Sequence, residues 1–144
     1  MIDLEYPNKK PSIKKDGEKD LIFCVIRKKW LVLTPEEWVR QNSLLYLTEV
    51  MNYPASLIAV EKQIMLGELK KRFDVVVYKN EQPFMLIECK ELNVPIDQKT
   101  LNQALRYNIE LQAPYCVISN GNTCYGFLIE NGSVVEISHF PTFK

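Results

Sequence analysis

Three short runs of the chain are apolar at consecutive positions, and they constrain the fold more than any other feature. The runs are Val75-Val76-Val77, Met85-Leu86-Ile87 and Cys116-Val117-Ile118. A strand with apolar side chains on both faces must be covered on both faces. Because helical patterns precede and follow these runs, the sequence predicts an α/β domain in which helices flank a mixed central β-sheet.

Local patterns place the remaining elements. Thr34 can cap a helix that begins at Pro35 and runs to about Met51. Asp97 can cap a second helix that ends at about Leu111, with apolar residues at helical spacing. Short β-rich runs predict strands at 58–66, 72–78, 84–89 and 115–119, a small hairpin at 21–25 and 30–33, and a closing hairpin at 124–129 and 134–137. The polar segment 1–20 is predicted to be a loosely ordered arm, and 21–144 a single domain.

The charge balance excludes one class of nucleic-acid-binding protein. The chain has 18 basic and 18 acidic residues, so it does not bind nucleic acid through bulk positive charge, although local basic patches remain. No apolar run is long enough to span a bilayer, and the acidic start is unlike a signal peptide. We therefore expect a soluble, cytoplasmic protein without a membrane partner.

Histidine and cysteine usage restricts the chemistry further. The single histidine, His139, rules out a metal site built from several histidines and disfavours a Ser-His-Asp triad. The four cysteines form no CxxC pair, which predicts buried, reduced thiols rather than a zinc site. Any catalysis must therefore depend on carboxylates, lysine, tyrosine and the backbone.

One hairpin brings two acidic residues and a lysine together. Asp74 and Glu88 are equidistant from Glu81, so a turn centred there would pair them directly across neighbouring strands. Lys90 is two residues beyond Glu88 and therefore points to the same face. The sequence thus predicts a cluster of two carboxylates and one ammonium at the end of this hairpin.

Such a cluster suits a divalent cation. Carboxylates at this separation repel each other unless a cation compensates, and Mg²⁺ is commonly held by one or two carboxylates and waters. A bound ion, a water nucleophile and a nearby lysine are the requirements for hydrolysing a phosphodiester. The alternative is that the spacing arose by chance and that Glu88 and Lys90 form a surface ion pair.

A series of short motifs resembles a known family. In chain order these are Glu36-Glu37-Trp38-Val39-Arg40-Gln41, Glu61, the segment 71–78, the segment 86–90, the segment 103–107, and Ser119-Asn120-Gly121. The series resembles the N-terminal nuclease-type domain of type I restriction enzyme R subunits, in the PD-(D/E)xK superfamily. The resemblance covers about residues 25–130, and it implies a restriction-endonuclease-like three-layer core.

The resemblance implies roles for five residues of the predicted site. Asp74 and Glu88 match the metal-binding acids, and Lys90 matches the catalytic lysine. Gln103 and Tyr107 match a Gln-x-x-x-Tyr motif whose helix face looks toward the site and the nucleic acid. The implied cofactor is Mg²⁺ or Mn²⁺, and the implied partner is DNA.

Three further residues are candidates through the same resemblance. Glu37 matches an acid that often helps to hold the metal, but it also fits the third position of a capping box. Glu61 matches an acidic position in the first core strand, where it belongs either to the site or to the surface. Arg72 is similar to an arginine that precedes the family's aspartate, so it is a candidate for phosphate contact.

The chain also departs from the family. R subunits continue into a motor that moves DNA, whereas no Walker-type sequence occurs here, which predicts a stand-alone domain. Phe73 replaces the proline of the superfamily label. The first hypothesis is a restriction-type, metal-dependent DNA endonuclease. The alternatives are a non-catalytic nucleic-acid-binding or assembly module with the same fold, and a purely structural protein. A homodimer or a partner protein remains open.

Overall fold

The computed structural model describes residues 1–143, which form two β-sheets and two long helices. A small sheet contains β1 (Ile13–Asp16), β2 (Lys19–Cys24) and β3 (Lys29–Val32). The large sheet contains β4 (Ile58–Leu66), β5 (Leu69–Lys79), β6 (Gln82–Cys89), β7 (Tyr115–Ser119), β8 (Cys124–Glu130) and β9 (Ser133–Ile137). The long helices are α1 (Pro35–Leu45) and α2 (Gln98–Leu111). Lys144, the end of the predicted domain, lies outside the described residues.

The large sheet is mixed, as the sequence predicts. Its strands lie side by side in chain order, and each neighbouring pair is antiparallel except β6 and β7, which are parallel. A parallel pair needs a crossover connection, and α2 lies in that connection. The coarse prediction of an α/β fold with a mixed sheet is therefore confirmed.

Both faces of the central strands are buried. Val75 and Val77 pack with α1 on one face, whereas Val76 packs with α2 on the other. All three valines are inaccessible to solvent. The consecutive apolar residues thus produce two half-cores separated by the sheet, and they fix β5 and β6 at the centre of the molecule.

Both helices begin where the sequence predicts. The Thr34 hydroxyl accepts a hydrogen bond from the Glu37 N–H (3.0 Å), and the Asp97 carboxylate accepts one from the Thr100 N–H (2.9 Å). The first helix ends differently, because regular α-helix stops at Leu45 and a π-helical turn, Tyr46–Val50, completes it. The prediction of continuous helix to about Met51 missed this widened turn.

The segment 1–20 has more regular structure than the predicted loose arm. Ile2 is buried, and its N–H donates to the Cys124 carbonyl (2.8 Å). The side chain of Ile2 occupies the space that a Cβ on Gly126 would need. Further along, β1 pairs with β2 through backbone bonds while its own side chains are exposed, so its polar sequence gives no strand signal.

The state of the cysteines and the character of the helices both bear on the expectations from the sequence. All four cysteines are buried and unpaired, which confirms the expected free thiols. Among residues 1–143, no helix combines the length and apolar character required to cross a bilayer.

Candidate active site

The hairpin of β5 and β6 aligns Asp74 with Glu88. Val75 pairs with Ile87, so Asp74 and Glu88 are the next opposed positions at the end of the ladder. The turn consists of Asn80 and Glu81, both with positive φ, and the register shifts by one residue beyond it. The turn is centred between Asn80 and Glu81, and the register shift compensates for this offset. Asp74 and Glu88 are therefore aligned, as they would be around a turn centred on Glu81.

The side-chain alternation of β5 slips at Asp74. Phe73 and Val75 are two residues apart, yet Phe73 packs on the α2 face and Val75 on the α1 face. The opposed residue in β4 is Glu61, which has a φ of 52° and lies between regularly paired positions. Strand irregularities of this kind redirect a side chain, and here the carboxylate of Asp74 extends to the end of the sheet, where α1 can reach it.

Two donors hold Asp74 in place. Arg40 of α1 donates from Nη2 to Oδ1 (2.9 Å), and the Cys89 N–H donates to Oδ2 (2.8 Å). Each carboxylate oxygen can accept more than one hydrogen bond or bind a cation in addition. Asp74 is therefore fixed in orientation, and its oxygens can still accept a further hydrogen bond or a cation.

Glu88 is buried without full compensation. Its Oε1 is inaccessible to solvent and has no hydrogen-bond partner among residues 1–143. Burial raises the pKa of Glu88 well above its ordinary value, and the hydrogen bond and charge of Asp74 raise it further. Unpaired buried carboxylates are unfavourable and rare in stable proteins, so this atom points to a missing proton or cation.

A cavity opens beside Glu88 on the α2 face. It is lined by Lys71, Glu88, Lys90, Thr100, Gln103, Ala104, Tyr107 and Ile118. Its volume of about 60 Å³ accommodates a few water molecules or a small ion, but not a nucleotide. The structure therefore brings Glu88, Lys90, Gln103 and Tyr107 to one cavity, with Asp74 adjacent to Glu88.

Glu37 and Glu61 have other partners. Glu37 accepts hydrogen bonds from Arg40 Nη1 (2.6 Å) and Gln41 Nε2 (2.9 Å), and neither acid lines the cavity. Glu61 accepts from Arg27 Nη1 (2.8 Å) and lies 3.5 Å from Arg40 Nη1. The two acids bind arginine in this structure, and their roles as metal ligands remain predictions.

Arg72 also lies away from the cavity. Its side chain is exposed, whereas the cavity lining includes its neighbour Lys71. A phosphate contact by Arg72 remains a prediction for nucleic acid that lies outside the cavity.

The residues present fit one divalent cation. Between Asp74 and Glu88, a cation would satisfy Oε1 of Glu88 and offset both the burial and the Asp74 charge that raise the pKa of Glu88. Over residues 1–143, no three Asp, Glu, His or Cys side chains are grouped as a metal site. Two carboxylates with water molecules completing the shell match the way proteins commonly hold Mg²⁺.

Sequence reasoning did not assign Arg40 or Lys71 to the site. Arg40 is three residues beyond Glu37 on α1, a spacing that predicts a helix ion pair but not the long-range contact with Asp74. Lys71 is three residues before Asp74 on β5, so strict alternation would place it on the face opposite Asp74. Only the slip of the alternation at Asp74 brings Lys71 to the α2 face, and no local signal in the sequence marks that slip.

One family model matches most of the chain. It is described as the type I restriction enzyme R protein N terminus, and it matches residues 35–141. The chain therefore belongs to this family, which confirms the resemblance carried by the motifs. The matched region contains both long helices and the whole large sheet, and so every residue that lines the cavity. Membership associates the chain with restriction systems. No curated protein matches the chain significantly.

Proposed function

We propose that this chain is a metal-dependent deoxyribonuclease domain of a restriction system, with a restriction-endonuclease-like PD-(D/E)xK core. The observation that carries the proposal is the unpartnered Oε1 of Glu88, buried next to Asp74 in a cavity that Lys90 also lines. A structural protein gains nothing from an uncompensated buried carboxylate, whereas a metal-dependent hydrolase requires one.

Asp74 and Glu88 are the residues that would hold Mg²⁺ or Mn²⁺. When bound, the ion would polarise a phosphate oxygen and favour the hydroxide form of a water molecule. Arg40 and the Cys89 N–H orient Asp74, so its position does not depend on the ion. The site is in this sense organised before the ion and the substrate arrive.

Lys90 and the α2 residues would act on the substrate directly. The Lys90 ammonium lies at the cavity and would stabilise the negative charge that develops on the phosphate under attack. Gln103 and Tyr107 are one helical turn apart and line the same cavity, so their amide and hydroxyl would bind phosphate oxygens. Because the cavity is too small for a nucleotide, only the backbone of the DNA would reach it.

A second candidate is a nucleic-acid-binding or assembly module that does not cleave. The observation that favours it is that each oxygen of Asp74 already has a protein hydrogen-bond donor. The net charge of zero also implies that DNA affinity would depend on local charges or on a partner subunit.

Cleavage of supercoiled plasmid in Mg²⁺ or Mn²⁺ tests the proposal. We expect the wild-type chain to nick the plasmid, and both Lys90→Ala and Asp74→Asn to lose most of this activity. Lys90→Ala should still be stabilised against heat by the metal, because both carboxylates remain, whereas Asp74→Asn should lose that stabilisation. Lys99→Ala, an exposed residue of α2 that does not line the cavity, is the control.

The two candidates give different results. A wild-type chain that binds DNA but never cuts it, with either metal, favours the non-catalytic module. If Lys90→Ala cuts as fast as wild type, the role given to this lysine is wrong.

A further inference from the structure

Three consecutive basic residues lie at the outer end of β5, and the fold separates them. Lys70 and Arg72 are exposed, whereas Lys71 is half-buried and lines the cavity. Lys71 shares the α2 face with Phe73, since the Nζ of Lys71 lies 5.8 Å from the centre of the Phe73 ring. Among three adjacent cations, the strand alternation thus presents only the middle one to the site.

An aromatic ring supports Lys71 in this position. Its Nζ lies 4.5 Å from the centre of the Tyr107 ring, a distance at which ammonium groups are attracted to aromatic faces. The contact joins β5 to α2 at the cavity that both side chains line. It also keeps the long side chain from extending freely into solvent, which reduces the entropy that ligand binding would cost.

Lys71 carries a charge that the protein itself leaves available. Within residues 1–143, neither Lys71 nor Lys90 forms an ion pair with a carboxylate, although both line a cavity next to Glu88. The two ammonium groups and the Gln103 amide therefore surround a space that suits an anion with several oxygen atoms.

We propose that Lys71 binds a phosphate of the DNA backbone at the mouth of this cavity, with the Tyr107 ring as its support. The inference rests on the proposed function and extends it by assigning the substrate-binding cation. Lys71 lies on β5 and would hold the phosphate in the ground state, whereas Lys90 lies just beyond the end of β6 and would act on the developing charge. Loss of Lys71 should therefore weaken binding more than it slows cleavage at saturating DNA.

The salt dependence of DNA binding tests this assignment. Fluorescence anisotropy would follow a short labelled duplex binding to the full chain, with Ca²⁺ in place of Mg²⁺ to prevent cleavage. Each phosphate contact adds about 0.9 to the slope of log affinity against log salt concentration for duplex DNA. We expect Lys71→Gln to reduce the slope by about this amount and to weaken binding for every duplex sequence alike.

Neighbouring variants separate the proposed contact from a general loss of charge. Lys70→Gln removes the same charge one residue away, on the exposed side of the strand, and should leave the slope unchanged. Lys71→Arg keeps the charge and should retain the slope. Thermal melts of Lys71→Gln and Lys70→Gln should agree, because neither side chain belongs to the buried core.

The outcomes distinguish this inference from the proposed nuclease activity. If the wild-type chain binds DNA without cutting it, and only Lys71→Gln reduces the slope, the result supports the phosphate contact of Lys71 and contradicts the proposed nuclease activity. If the wild-type chain cuts DNA and Lys71→Gln retains the wild-type slope, the phosphate contact of Lys71 is wrong, whereas the proposed nuclease activity is supported. Equal losses in Lys70→Gln and Lys71→Gln, or no binding by the wild type at low salt, would also overturn the inference.

Discussion

Glu88 determines how the stability of this protein should respond to pH. Its pKa is raised by burial, and then by the hydrogen bond and charge of Asp74, so the folded state holds the proton more tightly than the unfolded chain. The resulting stabilisation is complete below the ordinary pKa of 4.5 and is lost as the pH rises toward the raised value. Without metal, we expect the melting temperature to fall between about pH 5 and about pH 9.

The Glu88→Gln variant should remove this dependence. Glutamine is neutral at every pH. The variant should therefore be more stable than the wild type at the upper end of this pH range and as stable as the wild type at its lower end. Millimolar Mg²⁺ should raise the melting temperature of the wild type but not that of Glu88→Gln. Glu110→Gln changes an exposed acid of α2 and should behave as the wild type. A wild-type melting curve that does not move with pH would mean that Glu88 is ionised and compensated in the folded state.

Residues of the site differ in how far the sequence alone can place them. Glu88 lies near the end of β6 and Lys90 directly follows the strand, so continued alternation is sufficient to put both on the same face. Arg40 reaches Asp74 from another layer of the molecule, and no local pattern encodes a contact between residues 34 positions apart in the chain. Lys71 is equally hard to place, because strict alternation would put it opposite Asp74 and only the slip at Asp74 turns it toward α2 and Tyr107.

The turn between β5 and β6 sets the register of the candidate site at an energetic cost. Asn80 and Glu81 have φ values of 53° and 64°, and the left-handed region is unfavourable for a residue with a Cβ. In the turn between β8 and β9, Asn131 and Gly132 occupy the corresponding positions, and glycine adopts this conformation without strain.

Replacing Glu81 with glycine should therefore stabilise the protein. We expect Glu81→Gly to raise the free energy of unfolding by about 0.5 to 1 kcal/mol, after allowance for the greater freedom of glycine in the unfolded chain. Glu81→Ala removes the same charge but retains a Cβ, so it should give no such gain. Urea unfolding of the three proteins measures the difference. Equal stabilisation by both variants would assign the effect to the lost charge instead.

The elements that the sequence predicts best are those with complete local signals. Thr34 and Asp97 cap their helices as predicted, because each cap is encoded within a few residues. The strand β1 could not be predicted, since its side chains are exposed and only its backbone pairs with β2. The slip of side-chain alternation at Asp74, opposite Glu61, is likewise not marked by any local pattern in the sequence.

At the scale of the whole molecule, buried charge joins the α1 layer to the sheet. Arg40 is buried in α1, and it contacts Glu37 on its own helix, Glu61 on β4 and Asp74 on β5. Removing one member of a buried ion network leaves its partners desolvated and unpaired. The same guanidinium occupies one oxygen of Asp74, so it stabilises the metal-free protein and competes with a cation for that carboxylate.

Arg40→Met should separate these two effects. Without metal, we expect the free energy of unfolding to fall by about 3 kcal/mol, because Glu37 and Asp74 lose their buried cation. Millimolar Mg²⁺ should then raise the melting temperature of Arg40→Met by more than it raises that of wild type, since Asp74 is free to bind the ion. Arg106→Met, at an exposed position of α2, should change neither quantity. An equal or smaller response to Mg²⁺ in Arg40→Met would show that Arg40 does not compete with the ion and that its orienting contact with Asp74 is the more important effect.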